Sequence, residues 1–185
     1  NGQNTANVLK ATGIEYIILD MNTDRISKAK KKGHRALFGD ISHPEILKKA
    51  AVKRARVIVF AVSDPVATRM ALKAAKDINP SVHAIARTRY TGEVDALYKL
   101  GANQVISEEF ETSVEIFARV LEEYHIPTNI IQNQIDLIRH EGYAMLRGMS
   151  LSKERLMELT SLFAASITST FLITEDSQAA DKTLS

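Results

Sequence analysis

Short apolar runs alternate with longer amphipathic stretches along the first two thirds of the chain. The apolar runs are continuous and rich in β-branched residues, a pattern typical of strands buried on both faces of a parallel sheet. We predict such strands over residues 16–20, 36–38, 57–62, 82–87 and 104–106. The intervening stretches predict helices over residues 4–11, 23–32, 43–50, 65–77 and 92–99.

Prolines and glycines punctuate these predicted helices. Pro44 and Pro65 suit the first turn of a helix, whereas Gly13, Gly33 and Gly101 suit helix ends. Strands and helices that alternate at this spacing form right-handed βαβ units. The sequence therefore predicts an α/β protein with a Rossmann-like, doubly wound parallel sheet.

One strand of such a sheet is missing from the pattern. The chain opens on Asn1 and Gly2 and passes at once into a helical stretch. We therefore expect the sequence to begin just after its first strand. That strand either lies in residues outside the sequence or leaves a gap in the sheet.

The pattern changes after residue 106. Two amphipathic helices are predicted over residues 112–123 and 129–139, with Pro127 between them. Their apolar faces either pack against their own domain or form a dimerisation arm, and the pattern favours neither. Residues 148–169 predict a linker helix, and a strand-like run indicates that residues 170–185 begin a further domain.

Composition narrows the possible functions. The 24 basic and 22 acidic residues nearly balance at a formal net charge of +2, which argues against a nucleic-acid-binding protein. The basic run at residues 28–32, with Arg25 and Arg35 beside it, is more typical of a solvated helix face than of a phosphate or lipid site. The absence of cysteine excludes disulfides and thiolate chemistry, and none of the five histidines forms an i, i+4 pair suited to a metal. No apolar run reaches the roughly 18 to 20 residues that cross a bilayer.

Polar residues at the ends of the predicted strands are the candidates for a ligand-binding site. In a dinucleotide-binding fold a glycine-rich turn holds the phosphates, and an acidic residue about 20 positions later binds the ribose. Gly2 suits the last glycine of that turn, which allows close helix–strand packing, and Asp20 follows 18 positions later at a strand end. Asp20 could instead cap the next helix. A carboxylate here repels a 2′-phosphate and so favours NAD or a simple adenine nucleotide over NADP.

Further polar groups at strand ends converge on the same edge of the sheet. Asp40 and Asp64 each precede a helix with proline near its start, so each could be a helix cap, and for Asp64 that interpretation is preferred. Arg87 ends a buried strand and needs an anionic partner, either a bound phosphate or a carboxylate. Glu108 and Glu109 face the same rim and could oppose Arg87, bind a cation near phosphates or simply precede the next helix.

Several segments together resemble the RCK-N or TrkA-N domain. They are Gly2 with Asp20, and the runs HRALFGD at 34–40, AVSD at 61–64 and LGANQVI at 100–106. The resemblance covers residues 1–147, and the runs NGQN at 1–4 and IRHEGY at 138–143 are similar to the cytoplasmic tails of Kef-type potassium/proton antiporters. The end of the chain resembles the start of the companion TrkA-C domain, although Asp181 stands where a glycine is usual.

The resemblance implies a regulatory domain that binds AMP, ADP, ATP or NAD(H) without turnover. It implies a homodimer, formed through the crossover helix that ends domain 1–124 and through the dimerisation helix 125–147. It also implies a membrane-embedded potassium transport domain as partner, on the cytoplasmic side of the cell membrane. Ligand state would then gate ion flux.

The resemblance also assigns roles to individual residues. Asp20 would hold the ribose, Asp40 and Ile41 would flank the adenine, and residues 61–63 would form the pocket floor. Arg87 would lie near the nucleotide, and Glu109 would face phosphate or a metal across the dimer. The implied cofactor-binding set is Asn1, Gly2, Asp20, Met21, Asp40, Ile41, Ala61, Val62, Ser63, Asp64, Arg87 and Glu109.

Two alternatives stay open. The same domain could belong to a peripheral Trk/Ktr-type subunit or to an RCK channel. An NAD-dependent oxidoreductase would need a substrate domain with a proton donor beside the nicotinamide. Few residues follow the Rossmann-like unit and no histidine follows His140, so a binding module with no catalytic or metal-ligating residue is favoured.

Overall fold

The computed structural model describes residues 2–146, in which helices and strands alternate. The helices are α1 (Gly2–Ala11), α2 (Thr23–Lys31), α3 (Pro44–Lys49), α4 (Pro65–Ile78), α5 (Val94–Lys99), α6 (Glu108–Glu123) and α7 (Thr128–Leu146). The strands are β1 (Ile18–Asp20), β2 (Ala36–Phe38), β3 (Val57–Phe60), β4 (His83–Thr88) and β5 (Gln104–Ser107). Short 3-10 helices lie at Val52–Arg54 and Thr91–Glu93. Asn1, the predicted linker helix 148–169 and the predicted domain start 170–185 lie outside the described residues.

The helix ends follow the local sequence. Gly13, Gly33 and Gly101 follow α1, α2 and α5 with positive φ angles of 71°, 78° and 98°, a conformation that glycine adopts without strain. The helix predicted over residues 112–123 begins four residues earlier, because the Ser107 hydroxyl accepts a hydrogen bond from the Phe110 amide at 3.3 Å and caps α6 there. The helix predicted to end at residue 139 continues to residue 146.

The strands are all parallel and form two hydrogen-bonded groups. In one group β1 pairs with β2, and in the other β3, β4 and β5 pair in that order. Among the described residues no hydrogen-bonded ladder joins the two groups.

The core lies on one face of β3, so the prediction that the apolar run at residues 57–62 is buried on both faces was wrong. Phe60 and Ala86 of the strands and Leu72 of α4 belong to a buried apolar cluster to which α3 and α5 also contribute. On the opposite face, Val57 and Val59 are 52% and 47% exposed. The continuous apolar run identified the strand but not its environment, because residues on alternate faces of a strand meet different neighbours.

A second apolar cluster joins α6 to α7. Its buried members are Val114 and Ala118 of α6 and Ile131 and Ile135 of α7. The two predicted amphipathic helices thus pack on each other through one face each. That contact leaves the other faces of the hairpin exposed to solvent or to a partner.

Candidate functional site

Asp20 lies at the carboxyl end of β1 and is held by the backbone. Its Oδ1 accepts a hydrogen bond from the Asn22 amide at 2.8 Å, and its Oδ2 lies 3.6 Å from the Arg25 guanidinium. The residue that caps α2 is Asn22, whose side chain accepts a hydrogen bond from the Arg25 amide. The helix-cap interpretation of Asp20 is therefore wrong. Its carboxylate is 29% exposed, fixed in position and accessible at the sheet edge.

Asp40 occupies the neighbouring position after β2. Its Oδ1 accepts a hydrogen bond from the Ser42 amide at 2.8 Å, and this bond is the main reason that the pKa of the Asp40 carboxyl lies below its usual range. His43 is the residue at the N-cap of α3, and its side chain makes no capping bond. Asp40 therefore shapes the turn after β2 rather than capping α3, and its carboxylate is ionised at neutral pH.

The residues beside these carboxylates supply an apolar surface. Met21 is 62% exposed, whereas Ile41 is partly buried against the core cluster. Phe38 is the register partner of Asp20 and is 53% exposed. Phe38 was not predicted as a site residue from the sequence. An exposed aromatic ring at a strand end offers a flat apolar surface beside the Asp20 carboxylate.

A shallow cleft lies at the carboxyl ends of β3 and β4. Its empty volume is about 210 Å³, open solvent included, which is below the roughly 300 Å³ at which small-molecule sites begin. The lining residues are Val62, Ser63, Pro65, Thr68, Arg87, Thr88, Glu93 and Leu97. Of these, Val62, Ser63 and Arg87 were predicted as site residues from the sequence, and the others were not.

Arg87 already has its anionic partner within the chain. Its Nε donates to Glu108 Oε1 at 2.7 Å, and its Nη1 donates to the Ala61 carbonyl at 3.0 Å. Only 17% of the Arg87 side chain is exposed. The carboxylate alternative was therefore correct, and Arg87 positions the floor residue Ala61 beside the cleft instead of presenting a free guanidinium.

Two other predicted site residues have structural roles. The Glu109 carboxylate accepts hydrogen bonds from the Thr91 amide at 3.0 Å and the Thr91 hydroxyl at 3.1 Å, and the amide bond is the main cause of its lowered pKa. Asp64 caps α4 by accepting from the amides of Val66 and Ala67. The preferred interpretation of Asp64 as a helix cap is confirmed.

Gly2 opens α1 close to the end of β3. A Cβ added at Gly2 would lie 3.7 Å from the Cβ of Ala61, which is an ordinary van der Waals contact. The expectation that close helix–strand packing requires glycine here was therefore wrong. The N-terminus of α1 therefore lies beside Ala61, and helix N-termini favour anions.

The run at residues 138–143 docks α7 onto the sheet. The Tyr143 hydroxyl accepts a hydrogen bond from the Ser107 amide and donates one to Glu111, both at 3.1 Å, while Arg139 Nε donates to Glu111 at 3.0 Å. Burial is the main reason that the pKa of Tyr143 rises to about 12. Gly142 lies against the Phe110 ring with no room for a Cβ. These residues position the hairpin rather than a ligand.

The predicted site residues thus fall into two groups on one edge of the fold. Asp20, Met21, Asp40 and Ile41 follow β1 and β2, whereas residues 61–64 and Arg87 follow β3 and β4. Both groups lie at the carboxyl ends of strands, where ligands of open α/β sheets bind. Residues 2–146 include no group of three or more His, Asp or Glu side chains placed to hold a metal ion. None of the helices in this range is long and apolar enough to span a membrane.

Comparison with known proteins places this arrangement in a family. The model of the TrkA-N domain matches residues 1–108. The chain belongs to the TrkA-N domain family. The crystal structure of the TrkA-N domain of the inner membrane protein ybaL from Escherichia coli is 25% identical, with a TM-score of 0.61 over 63% of this chain and 86% of the other.

Two further relatives extend the similarity beyond the TrkA-N domain. The glutathione-regulated potassium-efflux system protein KefC of Cronobacter sakazakii is 28% identical over 149 residues, which cover 80% of this chain but only 24% of KefC. The chain thus spans about a quarter of that relative. The Shewanella denitrificans Kef CTD in AMP-bound form is 22% identical, with a TM-score of 0.68 over 80% of this chain and 89% of the other, and therefore supports the fold.

Proposed function

We propose that this chain is the ligand-sensing regulatory domain of a Kef-type potassium/proton antiporter, on the cytoplasmic side of the membrane. It binds an adenine nucleotide, with AMP as first candidate and NAD(H) as an alternative, and the bound state biases ion flux. The similarity to KefC supports the transport setting, and the AMP named in the Shewanella structure supports the ligand class.

The geometry of Asp20 carries the proposal. Its carboxylate lies at the end of β1, is fixed by the Asn22 amide and does not cap α2. Charge-assisted hydrogen bonds from the two ribose hydroxyls to such a carboxylate are the expected contact in this fold. Phe38 and Met21 supply exposed apolar surface beside it for the base. The phosphate would extend toward the N-terminus of α1 near Ala61.

Regulation requires two arrangements that the ligand distinguishes, and a homodimer supplies them. On α6, Ile116, Val120 and Tyr124 repeat every four residues and are 60%, 47% and 76% exposed. These three residues lie on a different face of the helix from Val114 and Ala118, which pack against α7. A second copy of the chain would cover it, which is the dimerisation arm implied by the sequence resemblance.

Isothermal titration of AMP, ATP, NAD⁺ and NADH tests nucleotide binding. Asp20→Ala should weaken the best ligand at least about tenfold, because a hydrogen bond to a charged group contributes about 1.5 to 3 kcal/mol. Asp24→Ala is the matched control, since Asp24 is an exposed carboxylate in the first turn of α2. Absence of binding by every nucleotide, or equal losses in both variants, would refute the proposal. Steady oxidation of NADH with carbonyl substrates would favour the oxidoreductase alternative instead.

Sedimentation velocity tests the dimer. Val120→Asp should weaken self-association at least about tenfold, because it places an unpaired carboxylate in an apolar contact. Val66→Asp is the control, since Val66 is an equally exposed valine, at 56%, on α4. A monomeric wild-type chain, or a dimer that tolerates Val120→Asp, would contradict the proposed interface.

A further inference from the structure

The edge at which the strands begin carries an unusual concentration of cations. Residues 25–39 contain no acidic side chain, and neither do residues 46–63. Nine exposed cations of these segments have no carboxylate within ion-pair distance in the described part of the chain. We call them the basic edge: Lys28, Lys30, Lys31, Lys32, Arg35, Lys49, Lys53, Arg54 and Arg56.

Both segments lie at one edge because every strand is parallel. The last turns of α2 and α3 return the chain to the level at which β2 and β3 start. The Arg35 carbonyl accepts a hydrogen bond from the Ile18 amide, and the Arg56 carbonyl accepts one from the His83 amide, both at 2.9 Å. These bonds fix Arg35 and Arg56 beside the first residues of β1 and β4. The candidate nucleotide site lies at the opposite edge.

The fold itself accounts for only some cations at this edge. Lys76 donates to the Val82 carbonyl at 2.7 Å and to Asn103 Oδ1 at 3.0 Å, and Lys48 pairs with Glu45. Lysines in the last turns of α2 and α3 also complement the helix dipole. Lys53 and Arg54 belong to the short 3-10 helix after α3 and Arg56 precedes β3, so none of the three lies in the last turn of an α-helix. No ion pair within the described residues offsets the electrostatic repulsion among these three cations.

We propose that the basic edge docks on an anionic phospholipid surface. The proposal rests on the proposed function, because attachment to a membrane transporter would hold this domain close to a negatively charged leaflet. Exposed lysines and arginines gathered on one side of a domain are the groups that such a leaflet attracts. Nucleic acid is less suited, because the exposed aromatic residues Phe38 and Tyr90 lie at the carboxyl ends of β2 and β4, away from this edge.

Vesicle co-sedimentation of the 185-residue chain tests the proposal. The chain should bind vesicles of equal parts phosphatidylglycerol and phosphatidylcholine, should not bind pure phosphatidylcholine, and should dissociate as salt is raised. Each cation near such a surface contributes roughly five-fold in binding. The double variant Lys31→Gln/Lys53→Gln, with one change in each segment, should therefore weaken binding roughly 25-fold.

The matched control is Lys73→Gln/Arg89→Gln, which removes the same charge from exposed sites outside the basic edge. This control should retain nearly all vesicle binding. Absence of binding to the anionic vesicles, or an equal loss in both double variants, would overturn the proposal. So would binding of duplex or single-stranded nucleic acid through the same two residues without vesicle binding.

The nucleotide titration separates this inference from the proposed function. Lys31→Gln/Lys53→Gln should bind nucleotide as the wild-type chain does, because both substitutions lie at the edge opposite Asp20. That result also shows that the variant is folded. Vesicle binding without nucleotide binding would sink the sensor proposal alone, and the reverse outcome would sink the membrane proposal alone.

Discussion

The two edges of the sheet hold their charges in different ways. At the carboxyl edge Asp20, Asp40, Asp64 and Glu109 each accept a hydrogen bond from a nearby backbone amide. At the amino edge the nine cations of the basic edge are exposed and have no ion-pair partner among the described residues. One edge therefore presents charges at fixed positions, and the other presents a diffuse positive field.

This difference distinguishes two kinds of recognition. A small ligand is selected by groups held at defined distances, because each polar contact must be made without further ordering. A membrane surface has no fixed geometry, so mobile side chains recognise it as well as ordered ones do. The comparison predicts that substitutions at the carboxyl edge alter the fold and the site together, whereas substitutions of the basic edge leave the fold unchanged.

Asn79 is the exception that tests this contrast most strongly, because it is an ordered, buried side chain at the amino edge. Its Nδ2 donates to the carbonyls of Val52 and Ala55, both at 3.0 Å, and its Oδ1 accepts from the Ser81 hydroxyl at 2.8 Å. Asn79→Ala should lower the free energy of unfolding by about 3 kcal/mol, because buried carbonyls lose their donor. Urea denaturation measures this change.

Ser81→Ala is the control for Asn79→Ala. It removes one hydrogen bond to Asn79 Oδ1 and leaves both Nδ2 bonds in place, so a loss of at most about 1 kcal/mol is expected. If the two variants lost the same free energy of unfolding, the 3-10 helix at Val52–Arg54 would not depend on the hydrogen bonds of Asn79. The backbone of the amino edge would then be no better ordered than its exposed side chains.

The fold could be predicted from the sequence further than the site could. Strand–helix alternation identified every strand and α-helix of the described range, because period and punctuation are local properties of the chain. The exposed face of Val57 and Val59 could not be predicted, because burial depends on which face each helix covers, and that is a tertiary property.

The sequence indicated which residues lie at the candidate site, but it did not show what each side chain does there. Strand-end polar residues converge on one edge by topology alone, so Asp20 and Asp40 could be chosen from the sequence. The sequence could not show which of these polar side chains already have a partner within the chain. Glu108 and Glu109 are adjacent, and only Glu108 reaches Arg87. Phe38 was missed because an aromatic residue at a strand end is indistinguishable by pattern from a core residue.

Arg87 tests whether the carboxyl edge is ordered, and its substitution should change the stability less than that of Asn79 does. Its side chain is 17% exposed and that of Glu108 is 33% exposed, so solvent screens the ion pair in part. Arg87→Met should lower the free energy of unfolding by about 1.5 kcal/mol, since Glu108 and the Ala61 carbonyl lose their shared donor. Thermal and urea unfolding measure the change.

Arg119→Met is the matched control for Arg87→Met, because Arg119 pairs with Glu115 and Glu122 on the exposed surface of α6 and its own side chain is 68% exposed. Solvent screens such a surface pair, so Arg119→Met should lower the free energy of unfolding less than Arg87→Met does. Nucleotide affinity should fall with Arg87→Met as well, because the Ala61 floor loses its support, and should not change with Arg119→Met. Equal stability losses in the two variants would mean that the carboxyl edge is no better ordered than the solvated surface of α6.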